Sequence, residues 1–100
     1  MDLYYDRINQ LVQDLLIPAR MEKTINDEVF GKFYEILVEI EKEVRGKENI
    51  SRKIVGLLFF IYHTLSDEIV DNSYKDKLFI SVGKLENILD RIFWDSPFKE

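Results

Sequence analysis

Apolar side chains recur at steps of three and four residues in four segments of this chain, and short polar turns separate the segments. This spacing is typical of amphipathic α-helices, each of which presents one apolar stripe. In a chain of 100 residues the four stripes are expected to bury one another, because this length supports one core. The sequence therefore predicts a single domain, residues 1–100, with an all-α fold: an antiparallel, up-down-up-down four-helix bundle.

Residues that cap or stop helices mark the ends of the four segments. Pro18 is expected to stop the first helix, and Arg45 followed by Gly46 is a typical end for the second. Thr24 or Asn26, Asn49 or Ser51, and Asn72 or Ser73 can cap the second, third and fourth helices. These signals predict helices at about residues 2–17, 27–45, 51–65 and 73–94, followed by a short tail at 95–100.

The third segment is apolar nearly all round, because Val55, Phe59 and Phe60 widen its stripe. Its β-branched and aromatic residues would also suit a strand, but residues 54–62 lack the alternation of apolar and polar side chains that a strand requires. We therefore predict that this segment is the most buried helix of the bundle.

Charge is spread unevenly along the chain, whose formal net charge is −5. Residues 27–45 hold six acids and three bases, a net charge of −3, whereas residues 51–65 hold Arg52 and Lys53 and no acid, a net charge of +2. Such runs are usually solvated helix faces, and that is the simplest explanation here. No nucleic-acid partner is expected, since phosphate binding depends on clustered Lys and Arg.

Export, membrane insertion and thiol chemistry are not expected. The chain has no cysteine for disulfides or thiol ligands, and its amino terminus lacks the pattern of a signal peptide. The longest apolar run, residues 54–62, is about half the roughly 20 residues needed to span a bilayer. We expect a soluble, cytoplasmic protein without a transmembrane segment.

Catalysis is not expected either. The single histidine, His63, can pair with Asp67 at i, i+4, but one such pair is neither a complete metal site nor a catalytic centre, and a structural role is the simpler interpretation. No serine lies in a Gly-x-Ser-x-Gly context. The sequence predicts no enzyme activity, no metal and no cofactor.

Aromatic residues in the second half of the chain exceed what the helix stripes need. Phe93 and Trp94 at the end of the fourth helix, with Phe98 in the tail, are compatible with a thick aromatic core and equally with an exposed anchor cluster. Cores and interfaces both select large aromatic side chains, so the sequence leaves both alternatives open.

Three segments of the second half carry a resemblance to a known family: ISRKIVGLLFFIY at 50–62, YKDKL at 74–78 and LENIL at 85–89. With the helix lengths and apolar positions of about residues 8–89, they resemble the small immunity proteins that protect producers of pediocin-like (class IIa) bacteriocins, particularly the branch of the enterocin A immunity protein. The similarity lies in pattern, without a diagnostic motif. The short tail and the acidic charge depart from the longer tails and strongly basic members of the family, and leave the choice of target open.

The resemblance implies a cytoplasmic four-helix bundle that recognises the mannose phosphotransferase permease after a bacteriocin has engaged it, and so blocks the pore. Its specificity surface would lie in the second half of the chain, where the aromatic argument favours Phe93, Trp94 and Phe98, followed by His63 and Lys84. The alternative is a helical interaction module of another class without catalytic activity: an antitoxin, a phage or plasmid-borne regulatory protein, or a secretion chaperone. The oligomeric state does not follow from the sequence.

Overall fold

The computed structural model describes residues 2–71 and 73–94 and shows an all-α fold, as predicted. Five helices follow one another in the described residues: α1 (Asp2–Asn9), α2 (Val12–Glu22), α3 (Asp27–Val44), α4 (Arg52–Asp67) and α5 (Lys77–Phe93). Together α1 and α2 take the place of the first predicted helix, and we call this pair the first arm of the bundle. Helices α3, α4 and α5 are the other three arms. None of the described helices is both long enough and apolar enough to cross a bilayer.

The arms alternate in direction along the chain, but chain order does not decide which arms touch. The first arm packs against both α3 and α4, and α5 also packs against both, whereas α3 and α4 contact each other less than either contacts α5. Helices α3 and α5 run parallel, since Lys77 at the start of α5 bonds to Asp27 at the start of α3, and Ile92 near the end of α5 lines a cleft with Val44 at the end of α3. The packing contacts place α3 and α4 on opposite sides of the bundle, each between the first arm and α5.

The expectation that Pro18 ends the first helix is wrong. The helix is interrupted earlier, around Leu11, and then continues through Pro18 over Val12–Glu22. The φ angle of proline suits a helix, so the cost is confined to one missing backbone hydrogen bond and local crowding. The next residue, Ala19, is fully buried in the core, which favours continuing the helix. The helix ends where Lys23 adopts a left-handed φ of 54°.

The last helix begins four residues later than predicted, because another residue caps it. The Asp76 side chain accepts a hydrogen bond of 2.9 Å from the backbone N–H of Leu78. Ser73, which the sequence offered as the cap, instead donates its hydroxyl to the Asp71 carboxylate at 2.9 Å within the preceding turn. Asn72 lies outside the described residues.

The prediction that the third helix is the most buried is also wrong. Its buried residues form one narrow stripe: Ile54, Leu58, Ile61 and Leu65. Helices α3 and α5 bury wider faces, with seven buried residues each. Phe59 and Phe60 of α4 are 58% and 52% exposed, respectively. The apolar surplus of α4 therefore faces outward.

Candidate partner-binding surface

Phe93 and Trp94 lie at the surface, where the last turn of α5 ends. They are 43% and 66% exposed, so the aromatic end of α5 is not part of the core. Trp94 faces the end of α3 and the α3–α4 connector, since it lines a small cleft together with Val44, Glu48 and Ile50. Phe98 lies outside the described residues.

His63 and Lys84, the other two candidates from the sequence, lie on different faces. The exposed ring of His63 packs against Phe59, with 4.8 Å between ring centroids. The described hydrogen bonds and ion pairs include none between His63 and Asp67. Lys84 lies on the other side of α5, where it lines a groove with Tyr34 of α3. His63 therefore lies beside Phe59, which shares a groove with Phe93, whereas Lys84 lies apart from them.

A groove lies between α4 and α5 and contains Phe59 and Phe93, and we call it the α4–α5 groove. Its volume is about 450 Å³. It is lined by Phe59, Tyr62, Glu86, Asn87, Leu89, Asp90 and Phe93. Helices α4 and α5 run antiparallel, so successive turns of α4 face successive turns of α5 in the opposite order. The lining residues give the groove aromatic walls and a rim with two carboxylates and one amide.

One hydrogen bond fixes the position of an aromatic ring in this groove. The Tyr62 hydroxyl donates to Glu86 Oε2 at 2.7 Å. The hydrogen bond to the Glu86 carboxylate, followed by burial, raises the pKa of the Tyr62 hydroxyl above its usual value. Tyr62 therefore remains protonated and holds α4 to α5 beside the exposed Phe59 and Phe93.

A second groove lies on the opposite side of α4, against α1, and we call it the α1–α4 groove. Its volume is about 390 Å³. It is lined by Tyr5, Arg52, Lys53, Gly56, Leu57 and Phe60. The Lys53 ammonium lies 4.9 Å from the centroid of the Tyr5 ring, within the range of a cation–π contact. This groove is aromatic and basic, whereas the α4–α5 groove is aromatic and acidic.

Between the two grooves runs the outer face of α4, which we define by Gly56, Phe59, Phe60 and His63. All four residues are exposed. Their spacing places them on one side of the helix, opposite the buried stripe. The sequence did not assign Phe59 and Phe60 to the surface, although two signals could have done so. The helix is apolar nearly all round, while a bundle arm buries only one face, and the aromatic residues exceed what the core needs.

This surface has the composition of a contact site. Aromatic side chains surrounded by polar groups are typical of the centres of protein–protein interfaces. In the described part of the chain, no three His, Asp or Glu side chains come together as a metal site would require.

No family model, curated protein or solved structure matches this chain. The resemblance to the immunity proteins is one of sequence pattern, in the segments at 50–62, 74–78 and 85–89.

Proposed function

We propose that this protein acts by binding another protein through the outer face of α4 and the aromatic end of α5, without catalysing a reaction. The observation that carries the proposal is the exposure of four large aromatic side chains: Phe59 and Phe60 on the outer face of α4, and Phe93 and Trp94 at the end of α5. Large exposed apolar patches are uncommon on proteins that have no partner. Aromatic anchors of this kind supply much of the binding energy in interfaces.

We further propose that the partner is a bacteriocin-engaged membrane receptor and that the protein is a cytoplasmic immunity protein. The support is the resemblance of residues 50–62 to the immunity proteins of pediocin-like bacteriocins. That segment contains the outer face of α4 up to Phe60, so the part of the sequence that carries the resemblance overlaps the surface that carries the binding proposal. The partner implied is the mannose phosphotransferase permease with bacteriocin bound.

The test is a protection assay. The chain is expressed in a bacteriocin-sensitive lactic or streptococcal strain, which is then challenged with a panel of pediocin-like bacteriocins. We expect resistance to one or a few of the peptides. Unchanged sensitivity across the panel, with the protein folded and abundant in the cells, would disprove the immunity role and favour another kind of interaction module.

Variants in the same assay test the surface separately from the role. We expect the Phe59→Ala/Phe60→Ala double variant to lose protection while retaining its helical circular dichroism spectrum. Met21→Ala is the matched control, because Met21 is 78% exposed on α2, away from the proposed surface. Lys84→Ala tests the groove between α3 and α5, which is separate from the proposed surface. Loss of protection from that change alone would assign binding to the face between α3 and α5.

A further inference from the structure

The α1–α4 groove is an open surface depression with an apolar lining. Tyr5, Leu57 and Phe60 form its apolar lining, and Gly56 leaves part of it open. A Cβ atom added to Gly56 would meet nothing within 4 Å. Glycine is about 1 kcal/mol less favourable than alanine inside a helix, so a glycine exposed in mid-helix without crowding has no evident packing reason within the chain itself.

Two cations at the end of this groove have no anionic partner in the described part of the chain. Arg52 forms no described ion pair or hydrogen bond, and the described contact of Lys53 is with the ring of Tyr5. Several cations of the bundle pair with carboxylates, among them Arg7 with Glu39 and Lys77 with Asp27, whereas Lys42, Lys75 and Lys84 share with Arg52 the lack of a described carboxylate partner. What distinguishes Arg52 and Lys53 is that they lie side by side at an apolar groove.

The position of Arg52 and Lys53 is also unfavourable for the helix that carries them. Both lie in the first turn of α4, which contains no acid, at the positive end of the helix dipole. Ser51 precedes them as the N-terminal cap residue, and its side chain makes no capping hydrogen bond. Sites at which a sequence departs from local helix rules without compensation are frequently functional. Negative charge supplied from outside would compensate this end of α4.

From this combination we infer that the α1–α4 groove binds an acidic amphipathic helix of a protein partner. An apolar side chain of that helix enters beside Gly56 and Phe60, and its carboxylates pair with Arg52 and Lys53. Packing an amphipathic helix into an apolar groove is a common mode of peptide recognition. The inference names the chemistry of the partner, and it rests on the proposed binding function but not on the identity of the bacteriocin.

Two other occupants fit the groove less well. A second copy docked symmetrically through this face would place the Arg52 and Lys53 side chains of both copies close together, where their like charges repel. Docking onto the acidic α3 of another copy would give a head-to-tail contact, which twofold symmetry does not close. Recognition of an anionic membrane typically uses clusters of four to eight Lys and Arg, far more than these two.

The experiment is a selection of helical peptides from a displayed random library by the purified full chain. We expect the recovered peptides to carry Glu or Asp around a Leu, Phe or Trp anchor. In NMR spectra, a recovered peptide should shift the backbone amide signals of α1 and of the first half of α4.

Charge reversal then tests the pairing. Arg52→Glu/Lys53→Glu should weaken binding of the recovered peptide at least tenfold and, in a fresh selection, recover basic peptides. The fold should persist, because acids in a first helical turn are favourable. Lys42→Glu/Lys75→Glu changes the net charge equally and should leave binding unchanged.

Filling the groove tests its shape. Gly56→Leu should abolish binding, whereas Gly31→Leu on α3, where an added Cβ also meets nothing within 4 Å, should not affect it.

Four results would overturn the inference. One is recovery of no peptide, or of peptides insensitive to both the charge reversal and Gly56→Leu. Another is binding to phosphatidylglycerol vesicles that Arg52→Glu/Lys53→Glu abolishes, which would assign the groove to a membrane. The third is a dimer that dissociates on the same charge reversal. Peptides that bind but are lost only with Phe59→Ala would leave the proposed function standing and remove this groove from it.

Discussion

Helices α3 and α4 are of similar length, 18 and 16 residues, and similarly rich in apolar side chains, yet they relate to solvent in opposite ways. In α3 the Phe30 and Phe33 rings are buried, and the exposed side is mainly charged. In α4 two neighbouring phenylalanines are more than half exposed, while Ile54 and Leu58 are fully buried on the opposite face.

The two helices also differ at their amino ends. Asn26 caps α3 by accepting a hydrogen bond of 3.1 Å from the backbone N–H of Val29, and acids follow it in the first turn. Ser51 makes no such bond at the start of α4, and two cations follow it. The cap and first-turn residues of α3 stabilise that helix, whereas those of α4 do not stabilise theirs. This contrast supports the proposed binding role of α4 and a structural role for α3.

The largest difference in stability between variants of the two helices should come from removing a phenylalanine ring. Phe33→Ala empties a fully buried site and should lower the free energy of unfolding by about 3–5 kcal/mol. Phe59→Ala and Phe60→Ala remove exposed rings and should each cost about 1 kcal/mol or less. Urea denaturation of the three variants measures the difference. A loss of several kcal/mol at Phe59 or Phe60 would mean that the outer face of α4 is structural.

The caps should give the next largest contrast. Asn26→Ala removes an observed capping bond and should cost about 1 kcal/mol, whereas Ser51→Ala removes no capping bond and should cost close to nothing. Thermal denaturation of both variants under identical conditions compares them directly. Equal losses from the two substitutions would contradict the comparison.

Charge reversal in the first turn should act with opposite sign in the two helices. Arg52→Glu places an acid at the positive end of the α4 dipole and should raise stability by about 0.3–1 kcal/mol, while Glu28→Lys should lower the stability of α3 by a similar amount. The measurement is urea denaturation at low ionic strength, repeated in high salt, where both effects should shrink. If Arg52→Glu destabilises the protein, the arginine has a structural partner.

The smallest effect concerns the contacts that each helix makes with α1. Arg7 donates two hydrogen bonds to the Glu39 carboxylate of α3, at 2.9 and 3.1 Å, and these lower the pKa of Glu39 below its usual value. A carboxyl group whose pKa is lowered by folding stabilises the folded state at pH values above its unfolded-state pKa, which is near 4.3 for Glu. This stabilisation is lost as the pH falls through the folded-state pKa. Arg7→Met should therefore flatten the loss of stability below about pH 5. Lys53→Met, on the α4 side, should leave that profile unchanged.

The helices themselves follow from the order of the amino acids. The periodic apolar positions of α3, its cap at Asn26 and its end at Arg45 are short-range features, and the structure confirms them. The same reasoning failed at Pro18 and at Ser73, because burial of Ala19 and a competing cap at Asp76 were decisive there. The exposure of Phe93 and Trp94 could be offered only as one of two alternatives.

Tertiary packing decided what local patterns could not. The spacing of apolar residues along a helix identifies its apolar side but not the neighbour that covers it, and a helix that is apolar all round offers no single side. The first arm and α5 together cover only the stripe around Leu58, so Phe59 and Phe60 remain at the surface. Arg52, Lys53 and Tyr5 form one groove for the same reason, since they are distant in the chain and meet only where α1 packs against α4.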